Sequence, residues 1–271
     1  MILSTLNAKQ YSRQCGWHSY FSRNKTLWDI PFDMSWIIMF SQLKDNPKYK
    51  GIEDELKKLL KENKGLKIYP LPKYLFASFL ITPAYELKVV IIGQDPYFNN
   101  EEFFTKNGHS KLVPQGMGLS FSVPHDFTIP SSLCYIYDNL VKFKHLKKRP
   151  TTGNLSFWGA QGCLMLNTSL TVEHGKKESH MKMWKWFTDY IIKYISDNFN
   201  DIIFLIWGGH AYKKLELIDI DKHHISVSSH PSGLSANKPF GNYPSFMNKD
   251  HFGEVNKFLR EKGKLEIIWD I

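Results

Sequence analysis

The sequence predicts an α/β fold: a three-layer sandwich with a central, mainly parallel four-stranded sheet flanked by helices. Three observations predict it. Four short apolar runs, at residues 87–92, 162–166, 202–207 and 224–228, read as strands buried on both faces. Segments with helical spacing lie between them. Each run also gives way to glycine, amide, hydroxyl or charged residues, and the carboxyl ends of strands are where an open parallel sheet binds its ligands.

The elements follow in order. Residues 1–33 show no clear period and read as an N-terminal extension, leaving 34–271 as one domain without linker, repeat or low-complexity stretch. Helical spacing begins at Ser35, with Trp36, Ile37, Phe40 and Leu43, then Ile52, Leu56, Leu59 and Leu60 in a lysine-rich segment. The stretch "IYPLPKYLF" carries two prolines and reads as an extended crossing segment. The first strand ends in Gly93-Gln94-Asp95-Pro96-Tyr97. A glycine- and serine-rich loop, "GMGLSFSVP", then carries Phe121. Pro130 suits the first turn of a helix bearing Leu133, Ile136, Tyr137 and Leu140. The second strand leads to Asn167-Thr168-Ser169. An apolar stripe of Trp184, Phe187, Ile191, Ile192 and Ile195 marks the next helix. The third strand leads to Gly208-Gly209-His210, and the fourth to His230-Pro231-Ser232-Gly233-Leu234-Ser235. Phe252, Val255, Phe258 and Leu259 form the last helix. One edge of the sheet thus collects a carboxylate, two amides, an imidazole and several hydroxyls, very little of which can serve a core.

Composition bounds the function. With 271 residues, 42% of them hydrophobic, the chain is long enough for one large core. Thirty-five Lys and Arg against 26 Asp and Glu give a net charge of +9, which suits a polyanionic partner. Cys15, Cys134 and Cys163 are scattered and form no CxxC pair, which argues against a zinc or disulfide framework and for a reducing compartment. No stretch approaches the ~20 apolar residues of a membrane span, and the N-terminus has no apolar core of signal-peptide length. The expectation is an intracellular soluble protein, neither secreted nor membrane-bound. His223-His224 has no acidic or thiol partner at ligand spacing, so no metal is expected.

Four motifs, GQDPY, GLSFSVP, LNTSLTVE and HPSGLS, occur in that order, with "IYPLP" before them and "IFLIWGGHAYKK" between the last two. Together they resemble family 1 uracil-DNA glycosylases, over roughly residue 35 to the end. The resemblance implies hydrolysis of the bond between uracil and deoxyribose, without cofactor or metal, by a monomer acting on uracil-containing DNA, single- or double-stranded. It admits a protein inhibitor or a replication partner, and a nuclear, cytoplasmic or viral setting. It implies a carboxylate, Asp95, near the anomeric carbon, where it stabilises positive charge and handles a water. It implies a donor, His230, aimed at the departing ring oxygen. Asn167 offers donor and acceptor in one amide and can pair with the N3–H and O4 edge of uracil, a pattern that cytosine reverses. Phe121 can stack on the extruded ring, Tyr97 can stand against C5 where thymine carries a methyl, and Gln94 lines the same turn with backbone contacts. Leu234 matches the residue that enters the base stack, and Ser132, Ser232 and Ser235 match serines that grip flanking phosphates.

Four departures stand out. Phe98 occupies the family's usual histidine position, and Met117 another. The stretch 98–117 is longer than usual and includes Glu101, Glu102, Phe103 and Phe104. Gly233 stands where proline is usual, which loosens the wedge loop. Two other functions stay open at this point: a DNA-binding or processivity module with vestigial excision, and a phosphoesterase, which would need a metal site.

Overall fold

The computed structural model describes residues 3–104 and 109–271. Before residue 34 the chain forms short turns, among them α1 (Ala8–Tyr11) and α2 (Trp17–Phe21). Asn7 caps α1 by accepting the Gln10 N–H, and Gln10 returns the bond to the Asn7 N–H. These residues are packed rather than free. Leu3, Leu6, Tyr11, Trp17 and Leu27 are buried. Trp17 Nε1 donates to the Pro70 carbonyl at 2.8 Å, and the Tyr11 hydroxyl donates to the Gly116 carbonyl. Turns of four or five residues are too short to leave a periodic stripe, so the sequence shows the segment as irregular.

The helical pattern from Ser35 resolves into α3 (Ile37–Lys44) and α4 (Pro47–Glu62). The break has a local cause: Asn46 accepts the Lys48 N–H at 3.0 Å, and Pro47 takes the first helical position. The expected crossing segment is extended only in part. β1 (Ile68–Tyr69) gives way to a 3-10 turn at Pro72–Tyr74 and then to α5 (Ala77–Ile81).

β2 (Val89–Gly93) follows, and the long connection after it includes an antiparallel hairpin, β3 (Asn100–Phe104) and β4 (Ser110–Pro114). Then come α6 (Ser131–Lys142), α7 (Ser156–Ala160), β5 (Cys163–Asn167) and β6 (Val172–Glu173), the last paired with β1. The chain ends with α8 (Met181–Asn198), β7 (Ile203–Trp207), α9 (Gly208–Tyr212), β8 (His224–Ser228) and α10 (His251–Glu261). Pro130 caps α6 from one position outside, rather than inside its first turn as expected.

The central sheet has the order β5-β2-β7-β8, and every pairing in it is parallel. Its side chains alternate between two cores. Val89, Ile91, Cys163, Met165, Ile203 and Leu205 face one, shared with α6, α7, α10 and Leu3, Leu6, Ala8 and Tyr11. Val90, Ile92, Leu164, Leu166, Phe204 and Ile206 face the other, shared with α3, α4 and α8. That two-sided burial is why the strands read as apolar runs without alternation. The chain enters at β2, steps to β5 on one side, then crosses to β7 and β8 on the other. The reversal of direction opens a crevice at the carboxyl end of β2, the usual place for a ligand in such a sheet.

Candidate active site

Two glycines create the room. Gly93 ends β2 and is in register with Asn167 at the end of β5. A Cβ at residue 93 would lie 2.3 Å from Asn167 Oδ1 and 2.6 Å from Ser120 Cβ, so only glycine lets the Asn167 amide lie across the strand end. Gly208 has φ +81°, and a Cβ there would lie 2.7 Å from His230 Cβ. The turn after β7 therefore needs glycine both for its backbone and to admit the His230 side chain.

The groups around this space have unspent hydrogen-bonding capacity. Asp95 follows β2 in a turn. Its Oδ2 accepts the Glu178 main-chain N–H at 2.7 Å, while its Oδ1 is buried with no partner among the described residues. Burial raises the Asp95 carboxyl to about 6, helped by the nearby Glu178 charge and opposed by the Glu178 N–H and by Lys177. Burial lowers the His230 imidazole to about 4, with Lys177 and His210 adding to the effect, so the ring is neutral at pH 7 and keeps one N–H to donate. The His230 ring and the Asn167 amide make no hydrogen bond among the described residues, although Asn167 is only 5% exposed.

Aromatic rings form a wall. Phe121 lies 5.9 Å from the His230 ring, tilted by 40°, and 5.6 Å from the Trp207 ring, edge to face. Its backbone is left-handed, with φ +62°, a conformation uncommon outside glycine and one that a built site has to hold in place. The Tyr97 hydroxyl donates to the Phe121 carbonyl at 3.3 Å, tying the first-strand turn to the loop that carries the ring.

The pocket enclosed has a volume of about 420 Å³, and Gln94, Asp95, Tyr97, Phe121, Ser132, Asn167, His230, Ser232 and Leu234 all line it. Nine of the ten residues singled out from the sequence thus share one cavity. The tenth, Ser235, lies outside the lining. Its hydroxyl donates to the His230 carbonyl at 2.9 Å and is hydrogen-bonded to the Ser232 hydroxyl, so it braces the loop that carries both. Leu234 is 85% exposed at the rim. Ser132 sits in the first turn of α6, a helix start without a side-chain cap, so its first N–H groups remain available to an anion. Gln94 does more than expected. Its carbonyl accepts the Ser169 N–H and the Thr168 hydroxyl, and its side-chain amide donates to Glu178 Oε1 at 2.6 Å.

Glu178 and Lys177 at or beside this site were not singled out by motif, and His210, Trp207 and Phe98 were noted without a role in the site. Phe98 was noted only as a departure, and Trp207 as a strand end. Lys177 and Glu178 belong to a charged turn whose only sequence signal is its charge. Among the described residues there is no group of three or more His, Cys, Asp or Glu side chains able to hold a metal, and no helix is long and apolar enough to cross a membrane.

Comparison with known proteins places this arrangement. The model of the uracil DNA glycosylase superfamily matches residues 80–260. A probable uracil-DNA glycosylase of Acanthamoeba polyphaga mimivirus is 36% identical over 251 residues, covering 89% of this chain and 65% of the mimivirus protein. The chain thus spans less than two thirds of that relative's length. The uracil-DNA glycosylase of Francisella tularensis subsp. tularensis (strain WY96-3418) is 39% identical over 239 residues, covering 88% of this chain and 99% of the other. Among solved structures, mimivirus uracil-DNA glycosylase superposes with a TM-score of 0.90 at 35% identity, covering 99% of this chain and 98% of that one. A variant of the same mimivirus protein in complex with UGI superposes with a TM-score of 0.89.

Proposed function

The chain belongs to the uracil-DNA glycosylase superfamily, and from that premise we propose how its residues excise uracil from DNA. The reaction is hydrolysis of the N-glycosyl bond, which leaves an abasic site for base excision repair. Residues 34–271 are the catalytic unit and 1–33 an extension, of which the described residues from 3 onward pack onto it. The observation that carries the assignment of roles is that Asp95, His230 and Asn167 line one pocket, while Asp95 Oδ1, the His230 ring and the Asn167 side-chain amide make no hydrogen bond among the described residues.

Cleavage builds positive charge on the sugar and negative charge on the departing ring. Asp95, ionised above its raised pKa, stabilises the sugar cation and orients the attacking water, with its Oδ2 held by the Glu178 N–H. Neutral His230 donates to the uracil oxygen that gains charge, at no cost of first losing a proton. Asn167 reads the N3–H and O4 edge. Phe121 stacks on the ring, and Tyr97 blocks a C5 methyl. The base must first leave the stack, at a cost of a few kcal/mol. Leu234 offsets it by filling the gap, while Ser132, Ser232 and Ser235, with the α6 N-terminus, hold the flanking phosphates. Phe98 stands where relatives use histidine, so the water depends more heavily on Asp95.

A processivity module with vestigial excision is not favoured, since it has no use for three unpaired groups converging on a pyrimidine-sized space. The protein acts as a monomer inside the cell, on single- or double-stranded DNA. A protein inhibitor of the kind bound to the mimivirus relative is a candidate partner. The test is cleavage of an oligonucleotide containing one uracil. The parent is expected to leave an abasic site with or without chelator, and Asp95→Asn to lose roughly 10²–10⁴-fold in rate while keeping DNA affinity. Parental rates from Asp95→Asn would remove Asp95 from its role.

A further inference from the structure

We infer that Glu178 is a positioning residue for this site: its main-chain N–H and its carboxylate together fix the consecutive residues Gln94 and Asp95 and set the charge against which Asp95 ionises. The inference rests on the glycosylase reading and deepens it. Glu178 lies in the turn ahead of α8, far in sequence from the motif it serves. Its φ is +61°, in the left-handed region, and this directs its N–H at Asp95 Oδ2 over 2.7 Å. Its Oε1 accepts the Gln94 amide at 2.6 Å, and lies 3.4 Å from Lys177 Nζ and 3.8 Å from His210 Nε2. One residue thus spans both side chains of the turn after β2, and it selects which Asp95 oxygen remains unpaired among the described residues.

The charged groups around the pair are few. Glu178 and Lys177 act on Asp95 in opposite senses, Lys177 and His210 both favour the Glu178 carboxylate, and His230 faces Lys177 and His210 in turn. Removing the Glu178 charge therefore leaves Asp95 with Lys177 unopposed, and Asp95 ionises at lower pH.

Two variants of the full chain separate the two contributions. Glu178→Gln keeps an acceptor for Gln94 but removes the charge. Glu178→Gly accepts the left-handed backbone and keeps the N–H to Asp95, but removes both the charge and the Gln94 anchor. Excision kinetics on a uracil-containing single strand are to be followed across the acid limb, alongside NMR titration of the Asp95 carboxyl. Both variants are expected to move the acid limb and the Asp95 titration to lower pH. Glu178→Gly, which loses the Gln94 anchor as well as the charge, should in addition raise KM roughly tenfold, more than Glu178→Gln does. An acid limb and an Asp95 titration that stay put in both variants overturn the inference. A parent that releases no uracil sinks the activity reading instead, while the Asp95 titration still decides the role of Glu178.

Discussion

On the proposed mechanism Asp95 meets two opposed demands, because a carboxylate that would have to be ionised to act is held where ionisation is disfavoured. Its folded pKa, about 6, lies above its unfolded value, so its contribution to stability is complete below about pH 4 and is lost as pH rises through 6. Two outcomes follow. kcat/KM should fall tenfold per pH unit below about 6, with no His230 step in that region because that ring titrates near 4. Asp95→Asn, strongly impaired in excision, should nonetheless be more stable at pH 8, by about 1–2 kcal/mol in urea titration once solvent screening is allowed for. Equal stability of parent and variant at that pH would mean that burial does not penalise the charge. Tyr97→Ala should begin to release thymine, measured as free base from undamaged DNA, because Tyr97 is the side chain assigned to block the C5 side. At this scale the sequence was legible wherever chemistry is carried by side-chain type, as at Asp95, Asn167 and His230. It was silent on Glu178, whose bond to Asp95 is made by a main-chain N–H that any residue possesses.

Elements were legible where burial is two-sided. The strands were recognisable because each side chain of β2, β5 and β7 enters one core or the other. The β3–β4 hairpin was not, since its residues are mostly exposed or half-exposed and give no clean alternation. It is tied in by Glu101, whose two carboxylate oxygens accept the Gln115 amide at 2.8 Å and the Thr128 N–H at 3.0 Å, linking it to the loop ahead of α6. The wedge loop offers a test at this scale. Gly233 is not in the left-handed region, a Cβ there meets only the Tyr135 ring at 3.7 Å or more, and its N–H makes no hydrogen bond among the described residues. Proline should therefore fit and cut the freedom of the unengaged loop, worth about 0.4–1 kcal/mol. Gly233→Pro is expected to raise kcat/KM on duplex DNA by about two- to fivefold and to leave single strands unaffected, where no stack has to be entered. A uniform gain on both substrates would assign the effect to general stability rather than to wedging.

For the whole molecule, the net charge of +9 points to a polyanion but does not say how much of that charge DNA feels. Much of the lysine is compensated locally. Lys50 pairs with Asp54, Lys57 with Glu53 and Lys193 with Asp197, while Lys185 and Lys214 converge on one carboxylate, Asp189. At the pocket itself Lys177 is drawn toward Glu178, and the phosphate-gripping groups assigned here are neutral hydroxyls and main-chain N–H groups. Such groups orient a phosphate without releasing a counterion through a formal charge of their own. The salt dependence of binding should therefore be real but shallow. With two to four phosphates neutralised, affinity for a uracil-containing duplex should drop by about 10- to 150-fold between 50 and 200 mM salt, as fluorescence anisotropy with the strongly impaired Asp95→Asn protein would measure. A drop beyond about 10³-fold would require a lysine-lined DNA path far larger than the pocket rim, and a flat response would mean that the excess positive charge lies away from the DNA altogether.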